Sequence, residues 1–288
     1  MTGVGSISNL TSATLFDTRA YPIHERDQPA YGALLRRTRD SLAAKNCAQL
    51  SDFLRAETLE AIQAEALQHR PKAVFHQADL NPYFSEPPTN KPADHPLRRL
   101  APRRHGMIRA DFFDRAGVTW ALFQNADLCQ FVADSLGFSR LYPYPDPFGS
   151  VNVNVQPPGR EFSWHFDTND YTVSIGLTQS AEGGVFEYVP DIRTDKSENY
   201  DEVKAVLDGD RQKVHSLVLK PGDLQLFRGG YSLHRVTAPV DQERHSLLLS
   251  YVEDPDYVTT PEAAQRMWGE AHPLHHQRAS RTNAKGTH

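Results

Sequence analysis

Residues 163–171 read SWHFDTNDY, and the rest of the chain is read outward from them. His165 and Asp167 stand two apart. On an extended strand such residues point to one face, while Phe166 between them points to the other. Far downstream, GGYSLHRVT (229–237) carries His234. A second imidazole arriving from a distant strand would put two histidines and one carboxylate on one side of a metal, leaving other coordination positions open. His-x-Asp alone is a weak signal in a chain with 13 histidines. Three features strengthen it. The pair follows a turn-like PPGREFS and precedes a strand pattern, Tyr171–Leu177. His234 follows a strand-turn pattern, KPGDLQLFRGGYSLHRV. Arg244 lies ten residues beyond His234 on the next strand pattern, where a guanidinium can form a bidentate pair with a carboxylate.

The flanking patterns give an architecture. Residues 1–30 are polar and turn-rich and read as a flexible arm. Leu34, Leu35 and Leu42 predict an amphipathic helix over Tyr31–Asn46, and Ser51 reads as the N-cap of a second helix ended by Pro71. Residues 76–107 are rich in proline and charge and read as a long loop, either a solvated connection or a lid. Trp120–Leu136 has helical spacing with Gly137 as its stop. Beyond Tyr142 the chain turns to short alternating strands: VNVNVQ, YTVSIGL, GVFEYV, VHSLVL, LQLF and HSLLLSY. The expected fold is mainly β with a helical N-terminal layer: a helical buttress over 31–137 and a jelly-roll core, a double-stranded β-helix of cupin type, over 142–255. Together they make one domain over 31–260. A short helix from Pro261 and a polar flexible tail complete 261–288.

Composition narrows the function classes. The chain has 288 residues, with 31 Lys+Arg against 36 Asp+Glu and a net charge of −5, so there is no basic footprint for nucleic acid. No apolar run reaches membrane-spanning length, and the N-terminus lacks a signal-peptide pattern. Cys47 and Cys129 fit neither a disulfide framework nor a zinc knuckle. The expected setting is the cytoplasm, the partner a small-molecule substrate, and the state a monomer or homodimer. Zinc also accepts two histidines and a carboxylate, but it gives Arg244 no role and no HExxH pair is present.

Taken together, His165-x-Asp167, His234 and Arg244 resemble the Fe(II)/2-oxoglutarate-dependent dioxygenase superfamily. The stretches WHFDTNDYTVSIGLTQSAEGGVFEYVPDIR and PGDLQLFRGGYSLHRV are similar to one branch, the small bacterial enzymes that hydroxylate or halogenate free amino acids. NPYF…DHPLRR and YPDPFGSVNVNV extend the similarity over roughly residues 75–255. The resemblance implies that His165, Asp167 and His234 hold Fe(II), that 2-oxoglutarate binds the metal through its keto acid end, and that Arg244 takes its far carboxylate. Dioxygen is the other cosubstrate. Halogenases of that branch carry glycine or alanine where this chain has Asp167, so the resemblance implies hydroxylation of an unactivated C–H bond with release of succinate and CO2. Desaturation or another C–H oxidation are variants. The substrate it suggests is a free amino acid or derivative. A carrier-tethered amino acid or a nucleoside, or a non-catalytic jelly-roll module that binds a ligand, are the alternatives.

A second tier of residues has two readings each. In VNVNVQ the amides Asn152 and Asn154 share a face that either meets water or lines the barrel against cosubstrate or substrate. The branch resemblance favours substrate contact for Trp164 and Asn169, against packing and turn formation. Asp146 in YPDPFG could meet a substrate ammonium or simply make a turn. Arg103 or Arg104 could pair with a substrate carboxylate, since the branch carries an arginine in that region. Ser250 falls where the amino-acid enzymes place a polar substrate ligand.

Overall fold

Val151, Val153 and Val155 decide which way the barrel faces. All three are fully buried, packed with Ile62, Leu122, Phe123, Phe131 and Val132 from the helices, whereas Asn152 and Gln156 are buried on the opposite side of the same strand. An alternating strand therefore has no solvated face here. Its apolar side is covered by helices and its polar side by a second sheet, and each fully buried valine contributes about 1.5–3 kcal/mol through that cover. The computed structural model describes residues 10–75 and 78–278.

The major sheet runs, edge to edge, β1 (Cys47–Leu50), β12 (Leu224–Phe227), β9 (Thr172–Thr178), β14 (Arg244–Leu249), β7 (Val151–Gln156), β5 (Gly106–Ile108) and β2 (Val74–Phe75). The minor sheet runs β11 (His215–Leu217), β10 (Phe186–Val189), β13 (Leu233–Val236), β8 (Phe162–His165), β4 (Ala101–Arg103) and β3 (Ala78–Leu80). Neighbours within both sheets are antiparallel. A two-stranded ribbon of β6 (Tyr142–Pro143) and β15 (Tyr251–Val252) extends the end of β14. This is the expected jelly-roll core.

The helical layer comprises α1 (Ser12–Leu15), α2 (Pro29–Lys45), α3 (Ala56–His69), α4 (Val118–Phe123) and α5 (Ala126–Leu136); α6 (Tyr200–Leu207) and α7 (Pro261–Trp268) follow later. Proline at the first position starts α2, and Asn46 in the left-handed conformation ends it. Gly137, at φ 85°, ends α5 as its sequence predicts. No helix among the described residues is long and apolar enough to cross a membrane.

Several expectations change. The arm is not loose where it is described: Leu15, Phe16 and Ile23 are fully buried, and the Phe16 ring packs at a tilt against Phe53 with centroids 4.9 Å apart. Residues 1–9 of the expected arm and 279–288 of the expected tail lie outside the described residues. Ser51 is not a helix cap; α3 starts after Arg55, because Leu54 first forms a bridge with Phe16. The single helix expected over Trp120–Leu136 is two, since the Asn125 side chain accepts from the Leu128 amide and starts α5 afresh. The proline-rich stretch 78–107 is not one loop but holds β3, β4, the start of β5 and a 3-10 turn at Pro96–Arg98. Between α7 and the tail expected after His276, His275 is fully buried.

Candidate active site

The pairing of β13 with β8 brings the two histidines together. His234 stands opposite His165, and Val236 opposite Phe162, so β8 carries one extra residue between those pairs. Such a bulge re-aims side chains. It turns both Phe162 and His165 inward, where their rings stack at 3.9 Å and 12°. The His165 and His234 rings lie 4.0 Å apart. His165 Nδ1 is 2.8 Å from the Ser163 carbonyl and His234 Nδ1 is 3.0 Å from the Ser232 carbonyl. A carbonyl only accepts, so each Nδ1 carries the proton and each Nε2 presents a lone pair.

Both lone pairs converge on Asp167. Its Oδ1 lies 3.7 Å from His165 Nε2 and 3.4 Å from His234 Nε2, and the three groups offer ligand atoms within 4.8 Å of one another. Oδ2 accepts from the Thr172 hydroxyl at 2.6 Å, and the Asp167 amide donates to the Gly229 carbonyl at 3.1 Å. Gly229 is required here, because a Cβ would sit 1.9 Å from Oδ2. Burial, reinforced by His234, holds His165 well below its ordinary pKa and so neutral. Burial opposes the Asp167 charge, but His234, His165 and the Thr172 hydroxyl outweigh it and keep the carboxyl well below its usual range. Two imidazoles and an ionised carboxylate on one side make a set that could hold a metal facially.

The second half of the site is a cation without a partner. On β14, Arg244, Ser246 and Leu248 face Gln156, Asn154 and Asn152 of β7, so Arg244 and the amide row share the inward face. Arg244 is 5% exposed, its Nε finds no acceptor, and its nearest polar contact is Ser246 Oγ at 3.4 Å. Burial lowers its pKa to about 10, which leaves it charged at neutral pH. No carboxylate of the described residues pairs with it. A buried guanidinium left in that state is a cradle for a carboxylate brought by a ligand. Asn154 Oδ1 is likewise buried without a partner, while Asn152 donates to the Phe148 carbonyl at 2.8 Å. The donor set thus fits a metal and a dicarboxylate cosubstrate together.

The arginines of the 98–104 segment separate clearly. Arg103 borders the ligand set: its guanidinium lies over Phe84 at 4.7 Å and Phe162 at 5.2 Å, and its buried Nε has no partner among the described residues. Burial brings its pKa to about 10, with Asp167 acting in the opposite direction. Arg104 is spent elsewhere, paired with Asp79 at 2.8 Å and donating to the Ala78 carbonyl, so it is not brought to the site.

Two expectations of substrate contact are overturned by geometry. Alternation along β8 sets Trp164 opposite His165, on the outer face of the minor sheet, between the guanidiniums of Arg235 at 5.0 Å and Arg211 at 5.3 Å. It lines a cavity of about 260 Å³ with Arg99, Val206 and Leu207, on the side away from His165. Asp146 is saturated: Oδ1 accepts from the Phe148 and Gly149 amides, and Oδ2 meets Thr259 N, the Tyr144 hydroxyl and His275 Nε2 at 3.1–3.2 Å. It anchors the C-terminal segment and has no position left for an ammonium. Asn169 is exposed in the loop after Asp167. Ser250 follows β14, whose register sets Leu249 beside Val173, at the Thr172 end of the barrel. Phe84, Phe162, Thr172, Ser246 and Gly229 also belong to the site. Sequence reasoning missed them, although NPYF and the doubled glycine 229–230 mark two of the places.

Residues 92–269 match the family Halogenase D. The chain belongs to that family. Its fold is shared with a 2OG-Fe(II) oxygenase family oxidoreductase from Burkholderia pseudomallei (13% identity, covering 76% of this chain and 91% of that one, TM-score 0.51). AviO1 from Streptomyces viridochromogenes aligns at 16% identity over 78% and 97% of the chains, with TM-score 0.53. The non-heme α-ketoglutarate-dependent epimerase SnoN from nogalamycin biosynthesis aligns at 13% identity over 77% and 84%, with TM-score 0.54. No curated protein matches the chain. The family, this fold and the ligand cluster agree with the Fe(II)/2-oxoglutarate expectation from the sequence. Bound together, Fe(II), 2-oxoglutarate and O2 would supply an oxidant that attacks C–H bonds.

Proposed function

We propose that the enzyme hydroxylates an unactivated C–H bond of a small polar carboxylate, a free amino acid or close derivative, with release of succinate and CO2. The observation that carries the hydroxylase reading is Asp167, whose Oδ1 faces both Nε2 atoms while Thr172 secures Oδ2. A halogenating site needs a place beside the metal for halide, and here a carboxylate fills it. In this reading His165, Asp167 and His234 hold Fe(II). Arg244 and Ser246 bind the far carboxylate of 2-oxoglutarate, and Asn154, with Asn152 behind it, faces the cosubstrate. Arg103 takes the substrate carboxylate, with Asn169 and Ser250 at the substrate end.

The unpaired Arg103 favours a free carboxylate over a carrier thioester or a nucleoside, neither of which offers one. The enzyme works as a monomer or homodimer on a small molecule. Two buried free thiols, Cys47 and Cys129, suit a reducing cytoplasm.

The test is turnover with Fe(II), 2-oxoglutarate, oxygen and chloride against each standard L-amino acid, read by mass spectrometry. A product that has gained one oxygen supports the proposal. A chlorinated product, or turnover of carrier-bound substrates alone, overturns it.

A further inference from the structure

Phe84 breaks a rule of backbone geometry beside the metal ligands. Its φ is 54°, a left-handed conformation that a bulky residue adopts only when its surroundings impose it. Asn81 imposes it. That side chain is 1% exposed; its Oδ1 accepts from the Tyr83 and Ser85 amides, and its Nδ2 donates to the carbonyls of Ser85 at 2.8 Å and Leu97 at 2.7 Å. The turn throws the Phe84 ring toward the barrel mouth, 5.5 Å from the His165 ring and 4.7 Å from the Arg103 guanidinium. The ring is half-buried and belongs to none of the apolar clusters, so core packing does not account for the strain.

Phe162 completes the arrangement. Its ring lies 5.2 Å from the same guanidinium and stacks on His165 at 3.9 Å. We propose that Phe84 and Phe162 form an aromatic clamp that fixes the plane of Arg103, and that Phe84 is thereby a positioning residue that decides which substrate C–H bond faces the metal. Both rings lie within cation–π range of the guanidinium and restrict its rotation, and its Nε edge has no partner among the described residues. A carboxylate held by that edge in two parallel hydrogen bonds has a fixed direction as well as a fixed position. Because Phe162 also stacks on His165, the anchor is registered to a metal ligand. A guanidinium free to rotate would still attract the carboxylate but would present different carbons to the metal. This inference rests on the reading of Arg103 as the carboxylate anchor.

Three variants test it: Phe84→Leu keeps bulk without a π face, Phe84→Tyr keeps the face, and Arg103→Ala removes the anchor. The clamp itself is read without any ligand, as the ring-current shift of the Arg103 side-chain protons in NMR. That shift should fall in Phe84→Leu to the part contributed by Phe162, and persist in full in Phe84→Tyr. Function is read by adding each standard L-amino acid to the anaerobic complex with Fe(II) and 2-oxoglutarate and following its visible band, then by the products of turnover. For the amino acid that perturbs the wild-type band, half-saturation should weaken by up to about tenfold in Phe84→Leu, recover in Phe84→Tyr, and leave 2-oxoglutarate binding unchanged. Turnover of Phe84→Leu should give more than one oxidised position. Absence of the ring-current shift in wild type overturns the clamp. If Arg103→Ala weakens the amino acid while Phe84→Leu does not, the clamp alone fails. If Arg103→Ala has no effect, the carboxylate reading beneath it fails.

Discussion

Replacing Arg244 with methionine should have opposite effects on the empty and the loaded protein. Without ligand the guanidinium is buried and charged, and among the described residues its one polar contact is Ser246 Oγ at 3.4 Å. A buried cation in that state carries an uncompensated desolvation cost, so an apolar side chain of similar length leaves the apo melting temperature unchanged or raises it. The loaded protein loses a charge-assisted pair. Truncating one partner of such a buried pair costs about 2–5 kcal/mol. Taking about 3 kcal/mol, 2-oxoglutarate binds roughly a hundredfold more weakly. The assay is thermal unfolding under anaerobic Fe(II), with and without 2-oxoglutarate at a concentration a hundred times the wild-type Kd. Wild type should gain about 2.7 kcal/mol, and Arg244→Met about 0.4 kcal/mol at the same concentration. For a chain of this size that is a shift of roughly 5 °C against roughly 1 °C. An apo variant that melts far below wild type would refute the unpaired-cation argument. An undiminished ligand shift would refute the cosubstrate assignment.

Other expectations follow from the ligand cluster and its supports. Gly229→Ala places a methyl 1.9 Å from Asp167 Oδ2, so iron binding should be lost though no ligand is changed, as measured by equilibrium dialysis against Fe(II). Thr172→Val removes the 2.6 Å hydrogen bond that orients the carboxylate and should weaken metal affinity by about 10- to 100-fold in the same experiment. Glu243 bonds Arg70 through both oxygens at 2.6 and 2.8 Å, which, with His245, holds its carboxyl pKa at about 2 against an ordinary 4.5. A depressed carboxylate pKa contributes stability that is complete above the unfolded value and is lost as pH falls toward 2. Glu243→Gln should therefore flatten that part of the acid-unfolding curve followed by circular dichroism.

The sequence made the metal ligands legible because their logic is local. A two-residue spacing on an extended segment fixes the common face of His165 and Asp167, and strand patterns around His234 and Arg244 supply the rest. The valine and amide faces of VNVNVQ were visible as a pattern, but whether water or a second sheet met the amides depended on topology. Trp164 was misplaced for a different reason. Alternation from His165 already puts it on the outer face, and the branch resemblance pointed the other way; what the sequence hid is Phe162, turned inward by a bulge visible only in the pairing of β8 with β13. Asp146 could be read as a ligand or a turn because its decisive partner, His275, is 129 residues away. The choice between Arg103 and Arg104 turned on Asp79 and Phe84, contacts made across β3, β4 and the barrel mouth. NPYF marked the place of Phe84 but not its strained φ, which belongs to the hydrogen bonds of Asn81 and not to the residue that bears it.

The most direct test of the central claim is an anaerobic titration of apo-protein with Fe(II) and then 2-oxoglutarate, followed in the visible range for the charge-transfer band of the chelate. The band should saturate with one iron per chain, vanish in Asp167→Ala and His234→Ala, and require far more 2-oxoglutarate in Arg244→Met. A band of wild-type strength in Asp167→Ala, or none in the wild type, would contradict the assignment of this cluster as the iron site.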